Sequence, residues 1–590
     1  MRAPLSLRPF ILAILFFACP FFSSYSQAKV LSPDTSEVGD VNLDGSVNFQ
    51  DISPFLSLLT AGTYQFEADT DGNGVVNFFD ISPFIILLSS QHEPEPINLL
   101  NSRPNVVMVV VDDLGYGDFD VDHMPLTSAL IQSRGTRLNL YGHQNCVPSR
   151  AALLTGMSPV RFNQHSVFPL PLNGGVPARV PLLSEFLQDS GYQTAAFGKW
   201  HLGFGADQVP TLRGFDKFVG LRGGQFRSYG TLPGGVPYPD GTLGHDHHTR
   251  HDLAENGTSF YTSQFSTHLF RDKAVEYIES VDSSDPFFAY ISFNAPHSPY
   301  HAPRAAFDAV KLEHGITPAD EAYLFTFADD VVGLPFGTDA PEDVQDRINK
   351  AVYYAMVKDV DEAIAEVWDS IVDSGHADDT MFLFTSDNGG VTNFADNGIF
   401  RAGKGTAYEG GVFVANGIIA PWIEPGQKIN TDIWMADLTP TVLQLAGVNY
   451  TGLGLDGATA IKAMTENAEV VRKTGLTSFP CHVNKRFRPS LNVIQASASV
   501  HGSNFKYIRF YTIDLDGTTI LDTAEAFYDL SLNPSEIRSS HQDPAYAEII
   551  EQMRTEHDFW IGEDRIKGIN TVIIRDAFLG FIYPDEWGDY

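Results

Sequence analysis

Cysteine is scarce in this sequence, with three in 590 residues: Cys19, Cys146 and Cys481. Because no Cys-x-x-Cys and no paired His/Cys spacing occurs, a zinc site held by cysteine is disfavoured. A single disulfide between Cys146 and Cys481 stays open if the protein occupies an oxidising compartment. Such a bridge leaves unexplained why Cys146 lies in the polar stretch YGHQNCVPSRAALLTG, where a helix is expected to begin.

Basic residues are also few in this chain. Lys and Arg total 38 against 73 Asp and Glu, which gives a formal net charge of −35. A surface this acidic repels nucleic acid and anionic membranes, so neither is an expected partner. No apolar run beyond the N-terminus is long enough to predict an integral membrane segment. Since 43% of the residues are hydrophobic, the chain can build one large domain or several smaller ones.

The first 28 residues have the layout of a secretory signal peptide. Arg2 and Arg8 flank the start, an apolar run covers residues 10–22, and small residues precede a cut after Ala28. A transmembrane anchor is the alternative, but the run is short for a bilayer. A lipoprotein cut at Cys19 is disfavoured because bulky Phe residues precede it and proline follows it. The protein is therefore expected to be secreted, in the periplasm or outside the cell.

Two copies of one pattern follow, DVNLDGSVNFQDISPFLSLL and DTDGNGVVNFFDISPFIILL, spaced 29 residues apart. Each copy opens with a twelve-residue loop that carries oxygen-bearing side chains at positions 1, 3, 5, 9 and 12 and glycine at position 6. Calcium takes about six to eight oxygen ligands, and the glycine permits the sharp turn between them. The predicted calcium ligands are Asp40, Asn42, Asp44, Asn48, Asp51, Asp69, Asp71, Asn73, Asn77 and Asp80.

This segment, residues 37–90, resembles a dockerin type I module. The resemblance implies two bound Ca²⁺ ions, a small EF-hand-like helical fold and a protein partner of the cohesin kind. A role as an extracellular spacer or anchor is the alternative to a cohesin-like partner. Residues 91–103 contain Pro and Glu and are predicted to form a linker to the rest of the chain.

Three continuous apolar runs, NVVMVVV, TMFLFTS and PFFAYISF, are followed by polar residues. Runs of this length are typical of strands buried on both faces of a parallel sheet, and amphipathic stretches between them predict helices. Asp112 and Asp113 follow the first run, Asp387 and Asn388 follow the second, and His297 lies just after the third. Ligands of open α/β sheets bind at the carboxyl ends of the strands. The four oxygen-bearing side chains therefore predict a site for Ca²⁺ or Mg²⁺.

The segment CVPSRAALLTG places Cys146 just before a predicted helix N-terminus, where amide N–H groups and the helix dipole favour anions. Cys-x-Pro-Ser-Arg followed by Leu-Thr-Gly resembles the signature of the type I sulfatases of the alkaline phosphatase superfamily. GKWHLG with Lys199 and His201, APHSP with His297, TSDNGG, and GKGTAYEGG with Lys404 also match motifs of that family. The resemblance covers about residues 104–560.

The resemblance implies an alkaline-phosphatase-like α/β fold, in which a mixed, mostly parallel sheet is sandwiched by helices. Residues 104–450 are implied to form the catalytic N-terminal subdomain and residues 451–590 a smaller C-terminal α+β subdomain. The sequence departs from the family pattern after EGG, where VFVA, with Phe413 and Ala415, replaces the common Ile-Arg-Val-Pro. We interpret this change as a matter of local packing.

The resemblance also implies the catalytic chemistry. A maturation enzyme oxidises Cys146 to Cα-formylglycine, whose hydrate attacks the sulfur atom of a sulfate ester and whose second hydroxyl allows sulfate to leave. One Ca²⁺ or Mg²⁺ ion polarises the sulfate. Its implied ligands are Asp112, Asp113, Asp387, Asn388 and the modified Cys146.

Five further residues carry charge or protons in the implied mechanism. Arg150, Lys199 and Lys404 supply fixed positive charge to the sulfate. His297 is the implied proton donor to the leaving oxygen, and His201 is the implied base that helps to expel sulfate.

Two basic segments lie outside these motifs. GHDHHTRHD, with four histidines between His245 and His251, is predicted to be an exposed or substrate-contacting loop, with a second metal site as the alternative. CHVNKRFRP holds His482, Lys485 and Arg486, which either bind an anionic group of the substrate or pair with surface carboxylates.

These features together predict a secreted sulfatase that acts on a sulfated carbohydrate or an aryl sulfate. The carbohydrate is favoured because secretion and a dockerin-like module are both common in extracellular polysaccharide degradation. A phosphomonoester or phosphodiester hydrolase of the same superfamily is the second candidate, although many of those use Ser or Thr at the position of Cys146. A calcium-dependent binding protein with a silent catalytic domain is the third.

Overall fold

The computed structural model describes residues 103–561 except for 163, 165–174, 204, 206, 224–230, 233–235, 238–252, 261, 263, 282–284, 328–329, 336–337, 473–478, 489–492, 503 and 515–518. The signal peptide, the dockerin-like repeat, nearly all of the linker and the His245–His251 segment lie outside the described residues and stay predictions. The described strands and helices belong to one compact unit, Asn101–Val470 with Leu476–Tyr590; the other unit comprises residues 1–100 and 471–475.

Strands and helices alternate through most of the described chain. The strands are β1 Asn105–Val111, β2 Asn139–Tyr141, β3 Gln193–Lys199, β4 Lys217–Leu221, β5 Thr231–Leu232, β6 Val236–Pro237, β7 Leu253–Glu255, β8 Thr258–Ser259, β9 Phe287–Phe293, β10 His301–Pro303, β11 Phe325–Thr326, β12 Val331–Gly333, β13 Thr380–Ser386, β14 Asn416–Ile419, β15 Asp432–Trp434, β16 Phe479–Arg488, β17 Val493–Gly502, β18 Phe505–Ile513 and β19 Ile520–Asp529. The α-helices are α1 Pro125–Arg134, α2 Cys146–Thr155, α3 Leu183–Asp189, α4 Ser266–Ser280, α5 Arg304–Val310, α6 Pro318–Glu321, α7 Glu342–Asp373, α8 Glu409–Val412, α9 Met435–Leu445, α10 Ile461–Glu466 and α11 Ala547–Trp560.

The central sheet has the strand order β14-β13-β1-β9-β3-β4-β7-β8. Its middle strands β13, β1, β9, β3 and β4 run parallel, whereas β14 at one edge and β7 and β8 at the other pair antiparallel with their neighbours. The predicted mixed, mostly parallel sheet is thereby confirmed. All the strands that carry predicted site residues lie side by side in its parallel part.

The apolar run of β1 is continuous because both faces of the sheet are buried. Successive side chains of a strand point to opposite faces. Val107 and Val109 accordingly belong to one core cluster, which includes side chains of α4 and α7. Val106 and Met108 belong to the other, which includes side chains of α2 and α9. Full burial of an aliphatic side chain stabilises the fold by about 1.5–3 kcal/mol, so β1 anchors helices on both faces.

The C-terminal part of the described chain forms a second, antiparallel sheet with the order β16-β17-β18-β19. Alternate residues of these strands, among them Ala498, Val500 and Tyr507, pack with Ile550 and Met553 of α11. Within the described residues, no helix combines the length and the apolar character that a membrane span requires.

Candidate active site

The site is built at the carboxyl ends of β1 and β13. These strands end at Val111 and Ser386, which are partners in the parallel register. The Asp387 backbone N–H donates to the Val111 carbonyl oxygen at 3.1 Å, and the Asp113 backbone N–H donates to Asp387 Oδ1 at 3.3 Å. Strand pairing therefore brings together two Asp-containing loops that are far apart in the sequence.

Asp113 occupies the left-handed region of the backbone, with φ of 67°. Asparagine and aspartate are among the few residues besides glycine that adopt this conformation readily. The Asn388 side-chain amide donates to Asp113 Oδ1 at 2.8 Å, which fixes the orientation of both side chains. The conformation turns the chain sharply directly after Asp112.

Two buried oxygen atoms of the site have no hydrogen-bond partner among the described residues: Asp112 Oδ1 and Asn388 Oδ1. Buried polar atoms cost free energy when they are unsatisfied. An oxygen-binding cation would satisfy both, and Ca²⁺ and Mg²⁺ take such ligands. The residues present therefore fit a hard divalent ion.

Cys146 is the first residue of α2, whereas the sequence suggested that it precedes the helix. Asn145 already has the extended backbone of an N-cap residue, so the helix begins directly after it. The thiol is free, so the structure does not contain the disulfide with Cys481 that the sequence left open. Burial raises its pKa to about 12, despite the positive charges of Lys199 and Lys404 nearby.

Asp112, Asp113, Cys146 and His297 form the group that the described residues offer to a metal ion, with one ligand atom of each within 4.8 Å of the others. His297 is a difference from the sequence interpretation, which gave it proton transfer rather than cation binding. Asp387 lies outside this group and is paired with Arg150, so its role as a ligand of the ion stays a prediction.

Three cations, of which Lys199 and Arg150 are fully buried, pair with the carboxylates of the site, and Arg150 Nη2 also lies 3.7 Å from Asp112 Oδ1. Lys199 donates to Asp112 Oδ2, and Lys404 donates to Asp113 Oδ2 at 2.6 Å. The third pair has two contacts, because Arg150 places Nε 2.9 Å and Nη2 2.8 Å from Asp387 Oδ2. The three positive and three negative side chains therefore cancel in formal charge.

The carboxylates titrate differently because their neighbours differ. Burial favours the protonated form of Asp113, but Lys404 and His297 outweigh it and hold the pKa of this carboxyl below its usual range. Burial and the nearby Asp112 raise the pKa of Asp387 to about 6, although Arg150 opposes the change. A divalent ion would favour the charged form of each carboxylate.

Arg150 is held from several sides at the start of α2. Its side chain is fully buried, and Nη1 donates to the Ser292 hydroxyl on β9. Ser292 was not predicted from the sequence. It could have been found as a small polar residue within the apolar run of β9, because a buried hydroxyl requires a hydrogen-bond partner.

Both predicted catalytic histidines favour the neutral form. His201 lies two residues after β3, and burial followed by Lys199 and Arg150 lowers its pKa well below the usual value. Its Nδ1 has no hydrogen-bond partner among the described residues. Burial and Lys404 lower the pKa of His297 to about 3. His297 Nδ1 lies 2.6 Å from the Ser298 carbonyl oxygen, so Nδ1 carries the proton and Nε2 is unprotonated.

The departure from the family pattern after EGG does lie in a packed region. The Phe413 ring is 5.0 Å from the ring centres of Tyr116, Tyr141 and Phe400. His482, Lys485 and Arg486 lie on β16, a strand of the C-terminal sheet. The two alternatives for them, an anionic group of the substrate or surface carboxylates, stay open.

A mostly parallel sheet, with carboxylates and an amide after adjacent strands and a cysteine at a helix N-terminus beside them, defines an α/β protein with a polar site at its strand ends. The sulfatase family model matches residues 104–448. The chain therefore belongs to the sulfatase family, whose members are sulfuric ester hydrolases.

Curated relatives have sulfatase names and resemble only part of this chain. Mouse arylsulfatase J is 27% identical over 376 residues, which cover 62% of this chain and 56% of that protein. Human N-acetylgalactosamine-6-sulfatase is 28% identical over 371 residues, which cover 58% of this chain and 62% of that protein. The chain thus spans less than two thirds of the length of these two relatives.

Solved structures share the fold over most of the chain. The complex of Ps i-CgsB with k-i-k-neocarrahexaose has a TM-score of 0.62 and 24% identity, and covers 81% of this chain and 97% of that one. BT4656 in complex with its substrate D-glucosamine-2-N,6-O-disulfate has a TM-score of 0.57 and 19% identity, and covers 79% of this chain and 98% of that one.

Proposed function

We propose that this protein hydrolyses sulfate esters at the site around Cys146. The observation that carries the proposal is the juxtaposition of that cysteine with Asp112 and Asp113 in one buried group. Two buried oxygen atoms have no hydrogen-bond partner among the described residues: one belongs to Asp112 in the loop after β1 and the other to Asn388 in the loop after β13. Residues from both strand ends therefore offer a divalent cation oxygen ligands beside the cysteine.

One Ca²⁺ or Mg²⁺ ion would be held by Asp112, Asp113, Asp387, Asn388 and Cys146 in its mature form. We keep His297 for proton transfer, because these ions prefer oxygen to nitrogen. When bound, the ion supplies Lewis acidity to the sulfate ester. Cys146, after conversion to Cα-formylglycine by a maturation enzyme, supplies the nucleophilic oxygen.

The charge balance of the site favours an anionic substrate. Lys199, Lys404 and Arg150 are each paired with a carboxylate, so the side chains alone are neutral in sum. A divalent ion leaves two positive charges in excess, in a buried setting where electrostatic attraction is stronger than in water. The lysines and the arginine are positioned by these same pairs before any substrate arrives, which reduces the reorganisation that binding requires.

Proton transfer is assigned to the two histidines. His201 is neutral and its Nδ1 lacks a hydrogen-bond partner in the described chain, so it is suited to accept a proton. His297 has its ring fixed by the Ser298 carbonyl group, with Nε2 unprotonated. To act as the acid, His297 must first gain a proton at Nε2, which an anion bound nearby favours by raising its pKa.

The substrate we propose is a sulfated carbohydrate. Human N-acetylgalactosamine-6-sulfatase bears the name of a sulfated sugar. BT4656 was solved with a disulfated glucosamine described as its substrate, and Ps i-CgsB was solved with a neocarrahexaose. Secretion, proposed from the signal peptide, is consistent with an extracellular polymer as the source of this substrate.

The organisation of the whole chain is part of the proposal. Residues 1–28 form a signal peptide, 37–90 a dockerin-like module with two Ca²⁺ ions and a cohesin-like partner, and 91–103 a linker. Residues 104–450 and 451–590 form the two subdomains of the enzyme. Deletion of residues 37–90 is expected to leave turnover of a small aryl sulfate nearly unchanged, since every proposed catalytic residue lies beyond them. A large loss of kcat in a well-folded truncated protein would contradict this division.

Paired assays on an aryl sulfate and the matching aryl phosphate test the function. Sulfate turnover should dominate, and it should scale with the fraction of Cys146 in which mass spectrometry finds sulfur replaced by oxygen together with the loss of two hydrogens. Cys146→Ala should abolish turnover without unfolding the protein. Dominant phosphate turnover, or a Cys146–Cys481 disulfide in fully active protein, would refute the proposal. No turnover by fully matured protein would favour a binding role.

A further inference from the structure

The two loops that carry the proposed cation ligands are in tight contact beyond those ligands. The Gly117 backbone N–H donates to the Asp396 carbonyl oxygen at 2.8 Å. A Cβ atom on Gly115 would lie 2.2 Å from that same carbonyl oxygen. The loop after β1 therefore approaches the loop after β13 as closely as two backbones allow, and the position of one determines that of the other.

Asp118 connects these loops to each other. Its fully buried carboxylate accepts from the Gly115 N–H at 3.2 Å and from the Asp396 N–H at 3.1 and 3.2 Å. It also accepts from the hydroxyls of Tyr353 at 2.6 Å and Tyr354 at 3.0 Å. Both tyrosines belong to α7, so a long helix braces the junction of the two loops.

Only one of these tyrosines also contacts the turn that presents Asp113. The Tyr353 hydroxyl oxygen accepts from the Gly115 N–H at 3.3 Å and lies 3.4 Å from the Asp113 carbonyl oxygen. The Tyr354 hydroxyl donates to Asp118 Oδ1, and its ring packs between those of His123 and His314. Both tyrosine side chains are buried, and they are neighbours in the sequence.

We infer that Tyr353 is a positioning residue for the cation site: its hydroxyl holds the Asp113 turn in the left-handed conformation that presents the carboxylate. The inference rests on the proposed function, since it assumes that Asp113 binds a divalent ion. Outer residues that orient ligands of a metal site change its affinity by about 10–100-fold when they are replaced. Tyr354 shares the link to Asp118 without the link to the turn and is therefore a matched control.

Calcium titration of the full chain, monitored by calorimetry after removal of bound metal, tests the inference. Asp40→Ala and Asp69→Ala are included in every variant so that the N-terminal loops do not dominate the signal. We expect Tyr353→Phe to weaken calcium binding at least about tenfold, and Tyr354→Phe to change it by less than about threefold. The calcium concentration that gives half-maximal aryl sulfate turnover should shift in the same proportion.

Asp118→Asn provides a second variant if Tyr353→Phe does not fold. It leaves the tyrosine in place but turns an amide N–H₂ towards donors, so it should also weaken calcium binding about tenfold. Equal affinities for Tyr353→Phe and Tyr354→Phe, or unchanged affinity in Asp118→Asn, would overturn the inference while leaving the proposed function intact. Failure of the parent protein to bind either Ca²⁺ or Mg²⁺ in the same titration would refute the cation site and the inference together.

Discussion

Asn388→Asp is the substitution that most sharply tests the proposed cation site. The change removes an amide that donates to Asp113 Oδ1 at 2.8 Å and replaces it with a second carboxylate at nearly the same place. Losing a hydrogen bond to a charged acceptor costs about 1.5–3 kcal/mol. Two negative charges about 4 Å apart repel by about 4 kcal/mol at an effective dielectric constant of 20. Lys404, which contacts Asp113, offsets part of this repulsion.

Without metal, we therefore expect the variant to lose about 3–6 kcal/mol of unfolding free energy, the sum of these two terms after that offset. When a cation is bound, the added carboxylate becomes one of its ligands. It is then attracted by the ion, whereas in the metal-free protein it is repelled by Asp113. Saturating Ca²⁺ should thus raise the melting temperature of Asn388→Asp more than that of the wild type. Calcium bound at the N-terminal loops contributes equally to both proteins and cancels in the comparison.

The loss of unfolding free energy in the metal-free Asn388→Asp variant should also depend on pH. Asp113 stays charged beside Lys404, and its negative charge raises the folded-state pKa of the new carboxyl at position 388 above the usual value of about 3.9. Folded protein then retains a proton that unfolded protein has already released, so stability falls as pH rises through this window. The loss of unfolding free energy relative to the wild type should be small near pH 4. It should grow as the pH rises, until the pH exceeds the raised pKa of the folded state.

Differential scanning calorimetry in a chelator and in Ca²⁺ provides the measurement. Asn416→Asp is the matched control, because Asn416, the first residue of β14, is a buried asparagine whose side-chain amide donates to the Leu138 and Val414 carbonyl oxygens. It should destabilise the protein equally with and without Ca²⁺. If Asn388→Asp gains no more from Ca²⁺ than Asn416→Asp does, the placement of the cation beside Asn388 is wrong.

Three further predictions concern stability and charge. Arg150→Met should abolish sulfate turnover and cost about 3–5 kcal/mol, because it leaves a buried carboxylate unpaired; chemical denaturation that shows less than 1 kcal/mol would contradict the pairing. Burial lowers the pKa of His143 to about 3, so stability should be lost as pH falls from about 6.5, at up to about 1.4 kcal/mol per unit. His143→Gln should lower the slope of the acid limb by up to about 1.4 kcal/mol per pH unit without abolishing it, because burial also keeps His201 and His297 neutral. The new side chain still accepts from the Trp434 indole N–H, and an unchanged slope would refute the prediction. Lys506→Met removes the cation between two buried glutamates and should destabilise the protein by about 3–5 kcal/mol. The kcat of the folded fraction should be preserved, and a kcat that falls in proportion to stability would argue against a structural role.

Local sequence was enough to predict the elements that carry the site. A continuous apolar run of this length is typical of a parallel strand that is buried on both faces. The residue that follows the run then lies at the carboxyl end of the strand, where ligands of such sheets bind. Asp112 and Asp387 could be selected for that reason alone. The start of α2 was predicted slightly late, because the helix begins at Cys146 itself, directly after the extended backbone of Asn145. The sequence also identified Cys146 by its motif, which is local by nature.

Only the tertiary structure decided which charges meet. Lys199 contacts Asp112 across 87 positions, Lys404 contacts Asp113 across 291, and Arg150 reaches Asp387 across 237. Periodicity specifies the face of a strand or helix, but the strand order that brings β13, β1, β9 and β3 side by side comes from packing of the whole sheet. The contact between Tyr353 and the Asp113 turn also depends on tertiary packing. The sequence around a tyrosine on an apolar helix face does not indicate which distant residue its hydroxyl contacts. The sequence thus determined the chemistry available at each strand end, and the packing of the sheet and α7 determined how those groups are paired and held.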